Sequence, residues 1–272
     1  MTTVLLLAER GQSVRVFDLA DLDYSFAEAQ ANIEVVVGDV RDRRGLADAC
    51  QGLEWAVHLA AIMPPLSEEK RDLAYSVNVE GTRWLIEALG SHTPLVFAPS
   101  VSTYGVPRTE AVDVNHPQEP IDFYGETKLQ NERDIKGSGR PNVLLRISGI
   151  SVPALLEIPR PWFFAREQHV EFVYLSDAAT AVAGCVDNAA VLVETLQVAG
   201  GETWRMLGEE YSRAICQAFE IPPDSAAYLE QPGWPGWYDT SRSQSLFQYQ
   251  SHTFEEFIGQ LRSLYRDAVG VN

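Results

Sequence analysis

Apolar positions along the chain recur with two periods that take turns. A short apolar run at 4–7 leads through Glu9 and Arg10 to Gly11, predicting a helix that ends on a glycine cap. Residues 13–17 alternate with period two and end on Asp18, as a half-buried strand does. A strand at 33–37, a helix over 43–50, an apolar strand at 55–59 and a long helix over 68–89 follow. Next come a strand at 95–98, a helix over 123–136 and a strand at 143–147. Strands that alternate with helices predict an α/β fold whose parallel sheet is covered on both faces, a Rossmann-like doubly wound sheet. The last third is less regular. It reads as a strand near 171–174, a helix over 176–186, a strand at 194–198 and helices near 211–219 and 253–268, with the turn-rich "PGWPGWYDTSRSQ" between the last two.

Composition narrows the class. In 272 residues, 46% are hydrophobic, enough for one large domain or for a domain with a smaller lobe. A formal charge of -17, with no basic run to offset it, argues against nucleic acid and against anionic membrane surfaces. No stretch nears the roughly 18 to 20 apolar residues of a membrane span, and the N-terminus lacks the pattern of a secretory signal, so the expected location is the cytoplasm. Cys50, Cys185 and Cys216 are odd in number and widely spaced, which suggests buried thiols. His58, His92, His116, His169 and His252 are scattered, and no metal site is expected.

Four places carry candidate chemistry. Asp18 ends the second expected strand of a Rossmann unit, where a carboxylate accepts from adenosine ribose hydroxyls and disfavours the 2'-phosphate of NADP. A solvated strand end would look the same. Within "GDVRD" (38–42), Asp39 stands where it could reach an adenine amino group, with Val40 beside it. In "YGETK", Tyr124 and Lys128 are four apart on a helix and so share a face. A tyrosine hydroxyl, with a pKa near ~10, needs a neighbouring cation to act as acid or base near neutrality, and Lys128 can supply it. With three lysines and ten tyrosines the spacing arises by chance in about one chain in nine. Ser100, in "FAPSVSTYG", follows a strand at the edge where ligands bind in open α/β sheets. There a hydroxyl can polarise a substrate carbonyl or hydroxyl, with Ser102 and Thr103 as competitors for the role.

These segments resemble a known family in order from end to end. "VHLAA" (57–61), "NVEGTRWLIEA" (78–88), "PSVSTYG" (99–105), "YGETKLQNE" (124–132), "LRIS" (145–148), "FVYLSDAATAV" (172–182) and "DTSRSQ" (239–244) are similar to extended short-chain dehydrogenase/reductases. The branch is that of the NAD-dependent epimerases and dehydratases, which includes UDP-galactose 4-epimerase. The resemblance implies Ser100, Tyr124 and Lys128 as the catalytic set. It implies contacts to NAD from Asp18, Asp39, Val40, Leu59, Ala60, Ala61, Asn78, Tyr124 and Lys128, with Asn78 on a helix beside the active site. A dinucleotide-binding domain over 1–148, rejoined by 171–198, and a small substrate lobe over most of 149–272 follow from it. So does a homodimer through the helices near 68 and 123.

Three departures qualify the resemblance. The family opens on a strand and a GxxGxxG loop that lets backbone approach the pyrophosphate, whereas the first glycine here is Gly11, placed as a helix cap. Gly149 stands where the family shows Asn, ahead of a short segment. Glu171 and Ser176 depart from the pattern around "EFVYLSD". Without a central strand, the strands at 13–17 and 55–59 would lie roughly 9.6 Å apart instead of 4.8 Å. Either they close together, another segment or chain fills the slot, or the sequence as read lacks residues of the working protein. Two functions therefore stand side by side. One is an NAD-dependent oxidoreductase of the epimerase/dehydratase type, acting on a hydroxyl or keto carbon of a small molecule such as a nucleotide sugar. The other is a non-catalytic binding or scaffolding protein that has lost dinucleotide binding. The aromatic groups Trp162-Phe163-Phe164 and Trp234/Trp237/Tyr238 either line a substrate pocket or pack the lobe.

Overall fold

The structure, a computed structural model, describes residues 1–270. In chain order its first elements are α1 (Thr2–Glu9), β1 (Val14–Asp18), α2 (Ser25–Glu28), β2 (Ile33–Val37), α3 (Arg43–Ala49), β3 (Ala56–His58), α4 (Leu66–Glu69), α5 (Arg71–Ala74), a π-helical turn (Tyr75–Glu80), α6 (Gly81–Ala88) and β4 (Leu95–Phe97). They are followed by β5 (Ala111–Val112), α7 (Phe123–Gly137), β6 (Asn142–Ile147), β7 (Ile150–Ser151), β8 (His169–Glu171), β9 (Val173–Tyr174), α8 (Leu175–Ala183) and β10 (Thr195–Val198). The last are β11 (Arg205–Leu207), α9 (Gly208–Ala218), β12 (Trp237–Tyr238), α10 (Ser241–Phe247) and α11 (Phe254–Val269). The chain forms two compact units. The first holds residues 1–100, 122–145 and 179–195, and the second holds 101–121, 146–178 and 196–270.

The first unit carries the parallel strands. β3, β4 and β6 pair in parallel within a sheet of order β10-β6-β4-β3, with Val57 opposite Val96 and Val96 opposite Val143. Leu95, Val96 and Phe97 of β4 are fully buried, as a strand covered on both faces requires. Leu46 of α3, Leu85 of α6, Ile135 of α7 and Leu144 of β6 pack with Leu95 and Phe97 in one core. β1 and β2 form their own two-stranded parallel ladder, from Val14–Ile33 to Asp18–Val37. Phe17 reaches from that ladder onto the same core. Among the described residues no ladder joins β1 to β3, so the two strands do not close on one another by backbone pairing. Val37 and Leu59 stay about half exposed.

Sequence pattern and structure agree closely on β2, α3, α7 and α11. Gly11 adopts φ +83° and its N–H bonds to the Ala8 carbonyl at 2.9 Å, closing α1 as the pattern predicts. The helix predicted over 68–89 is not continuous. Lys70 leaves helical geometry (φ -124°, ψ 63°), and a π-helical turn intervenes before α6. The extra residue of that turn lets Asn78 turn its amide onto the backbone of Ile62, a tertiary contact that apolar periodicity does not encode. The strand expected at 171–174 is divided at Phe172. β8 pairs antiparallel with β11, whereas β9 pairs in parallel with β7.

The second unit is built around aromatic side chains. Trp162, Phe164, Phe172, Trp204, Tyr211 and Phe257 are buried in one cluster, so the aromatic run at 162–164 packs this unit's core. Gly149 is explained by Phe172, whose ring occupies the space that any Cβ at 149 would need. Glu171, almost fully buried, accepts from the N–H groups of Gly201 and Tyr238 at 2.9 Å and from Arg205 Nε at 3.0 Å. It is a structural anchor. Gln168 accepts from the N–H groups of Ala165 and Gly233 and donates to the carbonyls of Gly233 and Pro235, holding the turn-rich segment in place. The three cysteines are buried free thiols. No helix among the described residues is long and apolar enough to cross a membrane.

Candidate active site

The site in the first unit begins at the carboxyl ends of β3 and β4. Beyond β4 the chain runs Ala98, Pro99, Ser100, and Ser100 is partly exposed. Ser102 and Thr103, its competitors, are buried in a 3-10 turn over Val101–Tyr104. The helix α7 starts at Asp122, whose carboxylate accepts from the Gly125 N–H at 2.6 Å. Glu68 adds a second cap from outside the helix: its two carboxylate oxygens accept from the N–H groups of Phe123 and Tyr124, each at 3.0 Å. Three of the N–H groups that a helix start leaves open are thereby satisfied, and the backbone of Tyr124 is fixed.

Lys128 lies one turn after Tyr124. Its side chain is almost fully buried, and Nζ donates to the Ala98 carbonyl at 3.1 Å. The same nitrogen sits 5.6 Å from the centroid of the Tyr124 ring and 4.9 Å from that of Phe97. The structure thus brings Tyr124 and Lys128 together against the segment that ends in Ser100. Burial lowers the Lys128 pKa to about 8. Burial, and after it the charge of Asp122, raises the Tyr124 hydroxyl well above the usual phenol range. The downward pull expected from Lys128 does not set the balance, and in the protein alone the phenol is held protonated.

Asn78 is wholly engaged. Its Oδ1 accepts from the Ile62 N–H at 2.7 Å, and its Nδ2 donates to the Ile62 carbonyl at 3.0 Å and to Thr127 Oγ1 at 3.1 Å. Asn131 donates to the Asn78 carbonyl at 2.8 Å. Asn78 therefore ties the segment after β3 to the helix that carries Tyr124. Beneath it, His58 bonds Thr82 Oγ1 at 2.9 Å and stacks on Phe97. Burial, and then the charge of Lys128, pushes the His58 pKa down to about 3, so the ring is neutral.

The residues expected to contact a dinucleotide are spread along the strand ends. Leu59 and Ala60 are exposed beyond β3, and Ala61 is partly so. Asp18 is exposed, and its carboxylate takes the N–H of its own neighbour Leu19 at 2.8 Å. Asp39 is occupied: Arg41 Nη2 lies 2.6 Å from it, and this cation lowers its pKa. Val40 packs against the bare Cα of Gly81. Asp18, Leu59 and Ala60 are thus open to solvent, whereas Asp39 is taken up by Arg41. For the pyrophosphate, Gly11 stands at the C-terminal end of α1, so no helix N-terminus is presented there by that glycine.

Comparison with known proteins gives this geometry a lineage. Residues 1–143 match the 3-beta hydroxysteroid dehydrogenase/isomerase family. The chain belongs to that family. Among curated members and relatives, it is 34% identical over 128 residues to the N-acetyl-alpha-D-glucosaminyl-diphospho-ditrans,octacis-undecaprenol 4-epimerase of Escherichia coli O157:H7, a match over 44% of this chain and 36% of that protein. It is 32% identical over 140 residues to the decarboxylating sterol-4-alpha-carboxylate 3-dehydrogenase of Homo sapiens, over 50% of this chain and 36% of that one. The matched part thus spans about a third of these relatives. A short-chain dehydrogenase/reductase superfamily protein from Agrobacterium tumefaciens, solved with bound NAD, superposes with a TM-score of 0.80 over 98% of this chain and 94% of its own, at 21% identity. That likeness establishes the Rossmann-like fold. The resemblance read from the motifs is borne out by the 3-beta hydroxysteroid dehydrogenase/isomerase match and by the epimerase among the relatives.

Glu68, Thr127 and Asn131 were not legible as site residues. Asp122 left a local signal, a capping residue just before a helix. Glu68 left none, because it caps a helix that begins 55 positions later along the chain than itself.

Proposed function

We propose that the protein is an NAD-dependent oxidoreductase of the epimerase/dehydratase type, acting on a hydroxyl or keto carbon of a small molecule such as a nucleotide sugar. The observation that carries this reading is the approach of Lys128 Nζ to the Tyr124 ring at the carboxyl end of β4, with the ammonium bound to the segment that leads into Ser100. NAD, when bound, supplies the acceptor and donor for the substrate hydride. Asp18 would hold the adenosine ribose, which favours NAD over NADP, and Leu59, Ala60 and Ala61 would lie along the cofactor. Ser100 would hydrogen-bond the substrate oxygen. Tyr124 would give its proton to that oxygen as a carbonyl is reduced and take it back in the reverse direction. Lys128, charged below pH 8, would stabilise the phenolate left behind. The same reading makes the protein a cytoplasmic homodimer, paired through the helices near 68 and 123.

Calorimetric titration with NAD and with NADP tests the cofactor. NAD is expected to bind more tightly, and absence of heat with both leaves the scaffolding function instead. A Tyr124→Phe change is expected to lower turnover by about 10²- to 10⁴-fold with little change in NAD affinity. Unaltered turnover would remove Tyr124 from the mechanism.

A further inference from the structure

The second unit contains a cavity of about 270 Å³ that the chemistry above does not use. Its walls are apolar: Ile150, Ile158, Phe172, Ile215, Phe257 and Leu261 are among them. Polar groups are few, which is the character of a small-molecule site. Ser151 and Tyr211, both lining it and both buried, hold their hydroxyl oxygens 2.9 Å apart. Two hydroxyls carry two protons, and the single hydrogen bond between them uses one. Whichever oxygen donates, one O–H is left without an acceptor in a nearly dry wall. Burial raises the Tyr211 pKa to about 12, so its proton stays in place at neutral pH. The indole N–H of Trp162, in the same wall and 4% exposed, also has no acceptor among the described residues. Leaving buried donors unmatched is costly, and a ligand oxygen that accepts from them would relieve the cost.

Size and charge define the ligand further. An apolar cavity of about 150 Å³ holds benzene, so about 270 Å³ suits a molecule of roughly 11 non-hydrogen atoms. Four fused rings or a nucleotide sugar are too large for it. Glu157 is the charged residue in the lining, which disfavours carboxylates and phosphates. We propose that this cavity is a binding site for a compact, neutral, apolar molecule, about the size of two fused rings, that carries one carbonyl oxygen. The site belongs to the second unit and is independent of the oxidoreductase reading.

The test uses α-tetralone, a bicyclic ketone of this size, and tetralin, the same frame without oxygen, each titrated by calorimetry into the full chain with no NAD present. α-Tetralone is expected to bind about tenfold more tightly than tetralin. Removing both hydroxyls, in the double variant Ser151→Ala and Tyr211→Phe, leaves only the Trp162 N–H to meet a ligand oxygen and should narrow the difference between the two affinities to about threefold. Ala154→Trp, which fills the cavity from its wall, should abolish binding of both. Circular dichroism and thermal melting confirm that each variant is folded, and a misfolded Ala154→Trp protein is replaced by Val152→Phe, on the same wall. Equal affinity for ketone and hydrocarbon in the native protein overturns the proposal, as does no binding at the solubility limit or binding that survives a folded cavity-filling variant.

Discussion

Lys128 shows how one side chain is asked to satisfy two opposed demands. An ammonium taken almost wholly out of water is penalised, and that penalty appears as a pKa lowered to about 8. The folded-state pKa lies below that of the free side chain, so the unfolded chain binds the extra proton between about pH 8 and 10.5. Below pH 8 the folded state therefore carries a cost of about 3 kcal/mol, which fades as the pH rises through that window. Lys128→Met is expected to raise stability at pH 7 by an amount of that order, with the advantage shrinking toward pH 10.5. Urea denaturation at pH 7 and pH 10 measures it, and a variant less stable than the native protein at pH 7 would contradict the argument. The same change is expected to abolish turnover, since the phenolate of Tyr124 would lose its counter-charge. At this scale Tyr124 and Lys128 were legible because their spacing places them on one helical face. Glu171 and Gly149 were legible only as departures. Their reasons, a buried carboxylate with three donors and a ring pressed against a bare Cα, come from residues far away in sequence.

Among the elements, α7 matters most to the site because its first turn positions Tyr124. Its start is held by Asp122 from within and by Glu68 from outside. Asp122→Ala is expected to cost about 1 kcal/mol of stability in urea denaturation, the usual value of a lost cap. Glu68→Gln keeps one acceptor oxygen but loses the negative charge at the helix start. It is expected to lower kcat by about tenfold with KM little changed, because the substrate contacts remain while the Tyr124 backbone is less firmly placed. A change confined to KM would assign Glu68 to binding instead. Elements with a regular period and clear ends, such as β2, α7 and α11, could be read from the pattern; Thr253 and Glu256 form a capping box that marks where α11 begins. The break at Lys70 in the helix expected over 68–89, and the π-helical turn that carries Asn78 to the backbone of Ile62 across 16 positions, could not.

For the molecule as a whole, the two sheets of the first unit differ in how they are protected. β4 is buried at every position and flanked on both sides, whereas β1 and β2 have only each other and no fully buried residue. Hydrogen exchange is expected to be faster at the amides of 14–18 and 33–37 than at 95–97 and 142–145, because a two-stranded ladder opens more readily. Equal protection would mean that the ladder is backed by something other than its own pairing. His58 adds a pH dependence. Its folded pKa, about 3, lies below that of a free histidine, so the unfolded chain binds the proton first as pH falls below about 6.5. Stability is lost on acidification by about 2 kcal/mol at pH 5 from this residue alone. In His58→Gln the fall in stability between pH 7.5 and pH 5 is expected to be smaller by that amount, and identical curves for the two proteins would exclude His58 as the cause.

The sequence by itself determined the alternating strands and helices, the glycine that closes α1, and the helical spacing of Tyr124 and Lys128, because each depends on residues within a few positions of one another. The order of motifs was enough to point to the family. Only the tertiary structure decided that β1 and β3 do not pair, that Glu68 holds the start of α7, that burial shifts the Tyr124 hydroxyl upward, and that Ser151 and Tyr211 share one hydrogen bond inside an apolar cavity. Pairing, burial and the meeting of distant polar groups depend on which surfaces are removed from water together, and local periodicity carries no record of that.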